Sequence, residues 1–127
     1  MAWILIVDDE QVLVEMIASL IEDMGLHPMT AANGEEALRQ LLATSQTPAL
    51  VISDIMMPRM NGLELARAVK HHPGLKSVPI ILMSAAGQPS SSDLADGFIP
   101  KPFDLEILSG LIEQHLASRL RAQERVA

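Results

Sequence analysis

Asp54 closes an apolar run that begins at Ala49, and Pro58 and the Asn61-Gly62 pair then turn the chain away. A carboxylate so placed sits at the C-terminal tip of a buried strand, facing a loop. Asp8, Asp9 and Glu10 follow another apolar run, Trp3 to Val7; Ser84 follows Val78 to Met83, and Lys101 falls just past Gly97 to Ile99, within Pro100-Lys101-Pro102. In a parallel sheet all of these side chains reach one edge, the edge at which open α/β sheets bind ligands. A single Asp after a strand is ordinarily a turn former or a helix cap, so the convergence carries the argument. Three carboxylates held together repel one another and invite a hard divalent cation. Mg²⁺ suits such a set, taking one or two protein carboxylates with water and a phosphate. Lys101 adds a point charge suited to phosphate, and the Ser84 hydroxyl can donate to a phosphoryl oxygen. This chemistry is in-line phosphoryl transfer, with Asp54 as the nucleophile that forms an acyl phosphate.

The elements that must position these groups alternate. Trp3 to Val7 is a continuous β-prone run, as expected for a strand buried on both faces. From Glu10 the period lengthens: Val12, Met16, Leu20 and Met24 recur every four, with Leu13, Ile17 and Ile21 beside them, a wide apolar stripe on a helix. Gly25 supplies a left-handed stop. Residues 27–32 are a weak second strand whose Pro28 suits a sheet edge. Asn33 with Glu36 marks the start of a second helix, with Ala37, Leu38, Leu41 and Leu42 on its buried face. Residues 49–53 form the third strand. Asn61 caps a third helix, on which Leu65, Ala66 and Val69 face inward and which ends at His71-His72-Pro73-Gly74. Val78 to Met83 is a fourth strand and Gly97 to Ile99 a short fifth. Asp104 caps a last helix carrying Leu108, Leu111, Ile112, Leu116 and Leu120 along one face. Between Ala85 and Asp96 the chain is rich in Gly, Pro and Ser and offers only Leu94 and Ala95 to a core, too little for a long amphipathic helix. Strands alternating with helices imply a parallel sheet with right-handed crossovers and helices on both faces.

Composition narrows the classes. A chain of 127 residues, about half of them apolar, suits one domain (1–127, with its core over about 2–118 and the last helix running into the tail). Cysteine is absent, which excludes a disulfide framework, a thiolate metal site and a Cys nucleophile. No apolar run approaches the ~18 residues of a membrane span. The formal net charge of −7, with no basic stripe interleaved with aromatics, argues against direct nucleic-acid binding. The locally basic tail, Arg119 to Arg125, reads as a solvated helix end. His27, His71, His72 and His115 lie away from the acidic edge and read as surface residues. Met56, Met57 and Met60 read as loop packing. Trp3 starts the first strand and so should lie far from the acidic edge.

Asp8-Asp9 after the first strand, Asp54-x-x-x-Pro58 after the third, Ser84-Ala85 after the fourth and Lys101-Pro102-Phe103 after the fifth occur here in order and register. With these motifs the chain resembles the response regulator receiver domain of two-component signalling, of the flavodoxin-like, chemotaxis-regulator type, over residues 2–118. The resemblance implies a doubly wound five-stranded parallel sheet in the order 2-1-3-4-5. It implies that Asp54 accepts a phosphoryl group from a sensor histidine kinase or a histidine phosphotransfer protein. It makes Asp8, Asp9 and Asp54, with the Met56 carbonyl, the Mg²⁺ set, Asp8 acting through water. Lys101 becomes the phosphate-contacting lysine, Ser84 the switch hydroxyl and Phe98 the switch aromatic, and the Lys101-Pro102 bond is expected to be cis. It further implies a cytoplasmic signalling module that is no enzyme beyond its own phosphorylation and dephosphorylation, with a downstream protein target and possible homodimers.

Two departures bear on output. The span from Ser84 to Lys101 is shorter than the family's usual one by more than a helical turn, ~4 residues, so the fourth helix is expected to be shortened or missing. Phe98 stands where Tyr is frequent and lacks the hydroxyl. Three other readings were weighed. A fragment of a longer regulator or hybrid kinase has the same sequence signature. An interaction module that is never phosphorylated is disfavoured by the complete set of five polar residues. An aspartyl-phosphate phosphatase of another fold commonly needs a general acid two residues after the nucleophile, and Met56 cannot move a proton.

Overall fold

The computed structural model describes residues 2–87 and 94–126, with side chains described through residue 117. Five strands and four helices follow one another: β1 (Trp3–Val7), α1 (Gln11–Asp23), β2 (His27–Ala31), α2 (Gly34–Ala43), β3 (Leu50–Asp54), α3 (Gly62–His71), β4 (Ile80–Ser84), β5 (Gly97–Pro100) and α4 (Leu105–Val126). All pairings are parallel and the strand order is β2-β1-β3-β4-β5. The order reverses between β1 and β3, so the crevice outside their C-terminal ends is the topological switch point of the sheet. Among the described residues, no α-helix lies between β4 and β5. Residues 88–93, within the stretch between Ala85 and Asp96 that is rich in Gly, Pro and Ser, lie outside the described residues.

Alternation along each strand divides the core. Leu5, Val7, Val51, Ile80 and Leu82 face α2 and α3, meeting Ala37, Leu41, Leu65, Ala66 and Val69. Ile4, Ile6, Ile52, Ile81 and Met83 face α1 and α4, meeting Val14, Ile17, Ile21, Leu108 and Ile112. β3 and β4 are buried along their whole length, which is why they read as unbroken apolar runs. Each fully buried Ile or Leu contributes about 2 kcal/mol of hydrophobic stabilisation.

The helix starts follow their local chemistry. Asn33 Oδ1 accepts the Glu36 N–H at 2.8 Å. Asn61 Oδ1 accepts the Glu64 N–H at 2.8 Å while Glu64 Oε1 accepts the Asn61 N–H at 3.1 Å, a full capping box. At α4 the Asp104 carbonyl accepts from Ile107 and Leu108.

Three expectations about burial change. The α1 stripe is only partly used: Val14, Ile17 and Ile21 are buried, but Val12 is 71% and Met16 47% exposed. A helix lying on a sheet buries only the sector that faces it, and a wide stripe overruns that sector. Leu42 is exposed for the same reason, α2 burying Ala37 and Leu41 instead. His115 is half-buried rather than a surface residue, its ring packed over Gly97, where a Cβ would lie 3.0 Å from Nε2. Leu120 lies outside the described side chains.

Candidate functional site

β1 and β3 pair with Val7 opposite Ser53, so Asp8, just beyond β1, and Asp54, the last residue of β3, emerge together. One carboxylate oxygen from each of Asp8, Asp9 and Asp54 lies within 4.8 Å of the others. Asp8 and Asp54 are buried, whereas Asp9 is exposed at the mouth. β5 delivers the cation: Lys101 Nζ stands 2.8 Å from Asp8 Oδ2 and 3.4 Å from Asp54 Oδ1. The Lys101-Pro102 bond is cis, and the Lys101 N–H donates to the Ser84 carbonyl at 2.9 Å.

The charges shape one another. Burial pushes the Asp54 carboxyl above its ordinary value of 3.8, the Asp8 charge adds to this, and Lys101 opposes it. Burial alone would lower the Lys101 ammonium; the hydrogen bond to Asp8 and the charges of Asp8, Asp54 and Glu10 outweigh it, and its pKa lies above 10.5. The pocket is therefore short of positive charge, since one ammonium faces several acids. The donor set of carboxylate oxygens beside an open mouth is the hard-oxygen chemistry that Mg²⁺ or Ca²⁺ takes.

Tight backbone contacts fix Asp54. The Ile55 N–H donates to the Met83 carbonyl at 2.9 Å, and the Gly62 N–H to the Ile55 carbonyl at 2.9 Å. A Cβ on Gly62 would lie 2.3 Å from the Asp54 carbonyl oxygen, so only glycine lets α3 start this close to Asp54. The loop between them carries Arg59 at a φ of 67°. It also meets α2, where the Gly34 N–H donates to the Met60 carbonyl at 3.0 Å.

Of the residues singled out from sequence, Asp8, Asp9, Asp54 and Lys101 meet in one cluster. Ser84 ends β4 beside them, buried, its Oγ accepting the Ala86 N–H at 3.0 Å. Phe98 is half-buried on β5 opposite Leu82, packed on the α2/α3 side of the core. Met56 is exposed, while Met57 and Met60 pack against the core. Sequence reasoning gave Glu10 no role, yet Glu10 Oε1 lies 3.4 Å from Lys101 Nζ; its signal was the third acid of Asp8-Asp9-Glu10. Trp3 is at the other end of the sheet, its Nε1 donating to the Gln46 carbonyl at 3.0 Å. There it lines a groove of about 580 Å³ with His27, Met29 and Gln40, remote from the acids.

A five-stranded parallel sheet with an acidic pocket at its switch point, two buried Asp, a third at the mouth and one facing Lys define a class of signalling module. Residues 4–113 match the family model of the response regulator receiver domain, and the chain belongs to that family. It is 30% identical over 123 residues to Protein PilG of Pseudomonas aeruginosa, covering 91% of this chain and 87% of that one. It is 35% identical over 115 residues to the CpxR homolog of Haemophilus influenzae, a transcriptional regulatory protein; the match covers 86% of this chain and only 48% of that protein's length. Among solved structures, the signal receiver domain of a signal transduction histidine kinase from Syntrophus aciditrophicus superposes with a TM-score of 0.83 at 33% identity, covering 93% and 92% of the two chains. The response regulator TrrA of Thermotoga maritima, solved in complex with Mg²⁺-BeF, gives 0.80 at 35% identity, covering 91% and 100%. Among the described residues, no helix is long and apolar enough to cross a membrane.

Proposed function

We propose that this domain accepts a phosphoryl group on Asp54 from a histidine kinase or a histidine phosphotransfer protein in the cytoplasm, and that the acyl phosphate switches its conformation. The observation that carries this reading is the junction of Asp54 with Asp8, Asp9 and Lys101 in one pocket. The backbone bonds of Ile55, the next residue, to Met83 and Gly62 hold the chain where Asp54 enters the pocket. An Asp54 carboxylate oxygen attacks phosphorus, the bond from phosphorus to the donor's imidazole nitrogen breaks, and the O–P bond of the acyl phosphate forms. Lys101 lies within reach of the charge that builds on the phosphoryl oxygens. Ser84 donates its hydroxyl proton to one of them.

Asp9 and Asp54, with the Met56 carbonyl, would hold Mg²⁺ directly and Asp8 through water; bound there, the ion neutralises phosphoryl charge that one ammonium cannot. That TrrA was solved in complex with Mg²⁺-BeF supports Mg²⁺ as the ion. The exposed pair Val12 and Met16, one turn apart on α1 immediately after the acidic loop, offers the phosphoryl donor an apolar contact beside the site. As a switch, moving from nearly all inactive to nearly all active takes ~5.5 kcal/mol of differential stabilisation. New charge-assisted bonds from Ser84 and Lys101 are of the kind that supplies it, with Phe98 turning into the space Ser84 leaves.

The test is incubation with acetyl phosphate and Mg²⁺, read by intact mass. The expected result is one added phosphoryl group on this chain and none on Asp54→Ala. Equal labelling of the two would sink the reading.

A further inference from the structure

Lys101 faces three acids, and they differ in how easily they can be left. Its ammonium has three N–H groups, and a carboxylate stands within reach of each: Asp8 at 2.8 Å, Asp54 at 3.4 Å and Glu10 at 3.4 Å. The Asp8 side chain has no exposure, so leaving it unpaired is costly. The Glu10 side chain is 66% exposed, and water takes back its charge at little cost. Glu10 is also fixed at its backbone: its N–H donates to Asp8 Oδ1 at 3.0 Å and its carbonyl accepts the Val14 N–H at 3.0 Å. The carboxylate therefore reaches Lys101 from a rigid base at the start of α1.

Resting on the phosphoryl-acceptor reading above, we propose that Glu10 is a positioning residue that competes with the phosphoryl group for Lys101. Glu10 draws the ammonium toward solvent in the resting state and is the partner surrendered when the phosphoryl oxygens arrive. It sets how strongly the phosphorylated state is favoured.

The experiment compares wild type, Glu10→Gln and Glu10→Asp in two measurements: the rate of phosphorylation by acetyl phosphate with Mg²⁺, and the affinity for beryllofluoride with Mg²⁺. Glu10→Gln removes the competing charge. Glu10→Asp keeps the charge but shortens the reach by one methylene. The expected result is about a two- to fivefold gain in both readouts for Glu10→Gln, the range of one exposed ion pair, with Glu10→Asp close behind it. The gain collapses in 1 M salt, because an exposed pair is screened; a purely structural role of Glu10 would not respond to salt in this way. Glu10→Asp behaving as wild type would overturn the proposal in favour of general charge repulsion. No change in either variant, in a wild type that is phosphorylated, would overturn this proposal alone. A wild type that takes neither phosphoryl nor beryllofluoride overturns the parent reading and this one with it.

Discussion

Lys101 follows Asp8 by 93 residues and places its Nζ 2.8 Å from the Asp8 carboxylate. The two groups come from distant parts of the chain, just past β1 and β5, and meet because both strands run in the same direction and end at one edge. Breaking such a buried pair leaves an uncompensated carboxylate. Lys101→Met is therefore expected to lose about 3 kcal/mol of stability in Mg²⁺-free buffer. Saturating Mg²⁺ restores part of this, because the divalent ion supplies the missing charge. Urea unfolding with and without Mg²⁺ checks both parts, and an unchanged midpoint without Mg²⁺ would contradict the ion pair.

Asp54 makes stability depend on pH in an unusual sense. Its folded-state carboxyl titrates above 3.8, pushed up by burial and by the Asp8 charge. The folded state therefore holds that proton more tightly than the unfolded chain does. Stability from this group is greatest below 3.8 and is lost as pH rises through the raised value. Asp54→Asn should thus be more stable than wild type near neutral pH in Mg²⁺-free buffer, the gap closing as pH falls toward 3.8. Lys101 acts in the same sense at higher pH: the stability from its raised pKa is full below 10.5 and is lost as pH climbs through the folded-state value. Paired denaturation curves across pH for the two proteins measure the Asp54 effect directly.

Gly62 and Gly110 should respond oppositely to alanine. At Gly62 a new Cβ meets backbone, 2.3 Å from the Asp54 carbonyl oxygen and 2.9 Å from the Ile55 Cα, and backbone cannot step aside. Gly62→Ala is expected to cost about 3 kcal/mol and to move Asp54, lowering phosphorylation as well. Gly110 lies inside α4 with nothing within 4 Å of a Cβ. Gly110→Ala should gain up to about 1 kcal/mol from helix propensity. Thermal unfolding of both variants decides.

Arg59 holds a left-handed backbone, φ 67°, with an exposed side chain. Asn tolerates that conformation better than Arg, so Arg59→Asn should stabilise the loop by about 0.5 kcal/mol. A loss of stability instead would show that the Arg59 side chain makes a contact worth more than the strain.

Trp3, the only Trp in the chain, is tied to Gln46 at the end of the sheet opposite the acids. β1 separates them by about 16 Å at ~3.3 Å per residue. Adding Mg²⁺ should therefore leave Trp3 fluorescence nearly unchanged; a large quench would place the ion elsewhere.

Much of the architecture was legible because each element announces itself locally. The unbroken apolar runs of β3 and β4, the caps Asn33 and Asn61 and the breakers around Gly25 and Pro73 each act within a few residues. The five strands and the absence of a long helix before β5 in the described residues follow from such signals. Burial was less legible. Val12, Met16 and Leu42 carry the same apolar character as their buried neighbours, and only the position of the sheet under each helix separates them. Glu10 was legible as a third acid at the edge, but its pairing with Lys101, 91 residues away, depends on the fold.

The sequence by itself determined which groups could do chemistry: acids at Asp8, Asp9 and Asp54, a hydroxyl at Ser84 and an ammonium at Lys101, each just past a β-prone run. Those are properties of residue type and short-range spacing. Only the tertiary structure decided that the Lys101 ammonium stands within ion-pair reach of Asp8, Asp54 and Glu10 together, and that Gly62 lies against the backbone of Asp54. Such contacts depend on strand register and helix placement, which emerge when the whole core packs, and no window of the chain contains them.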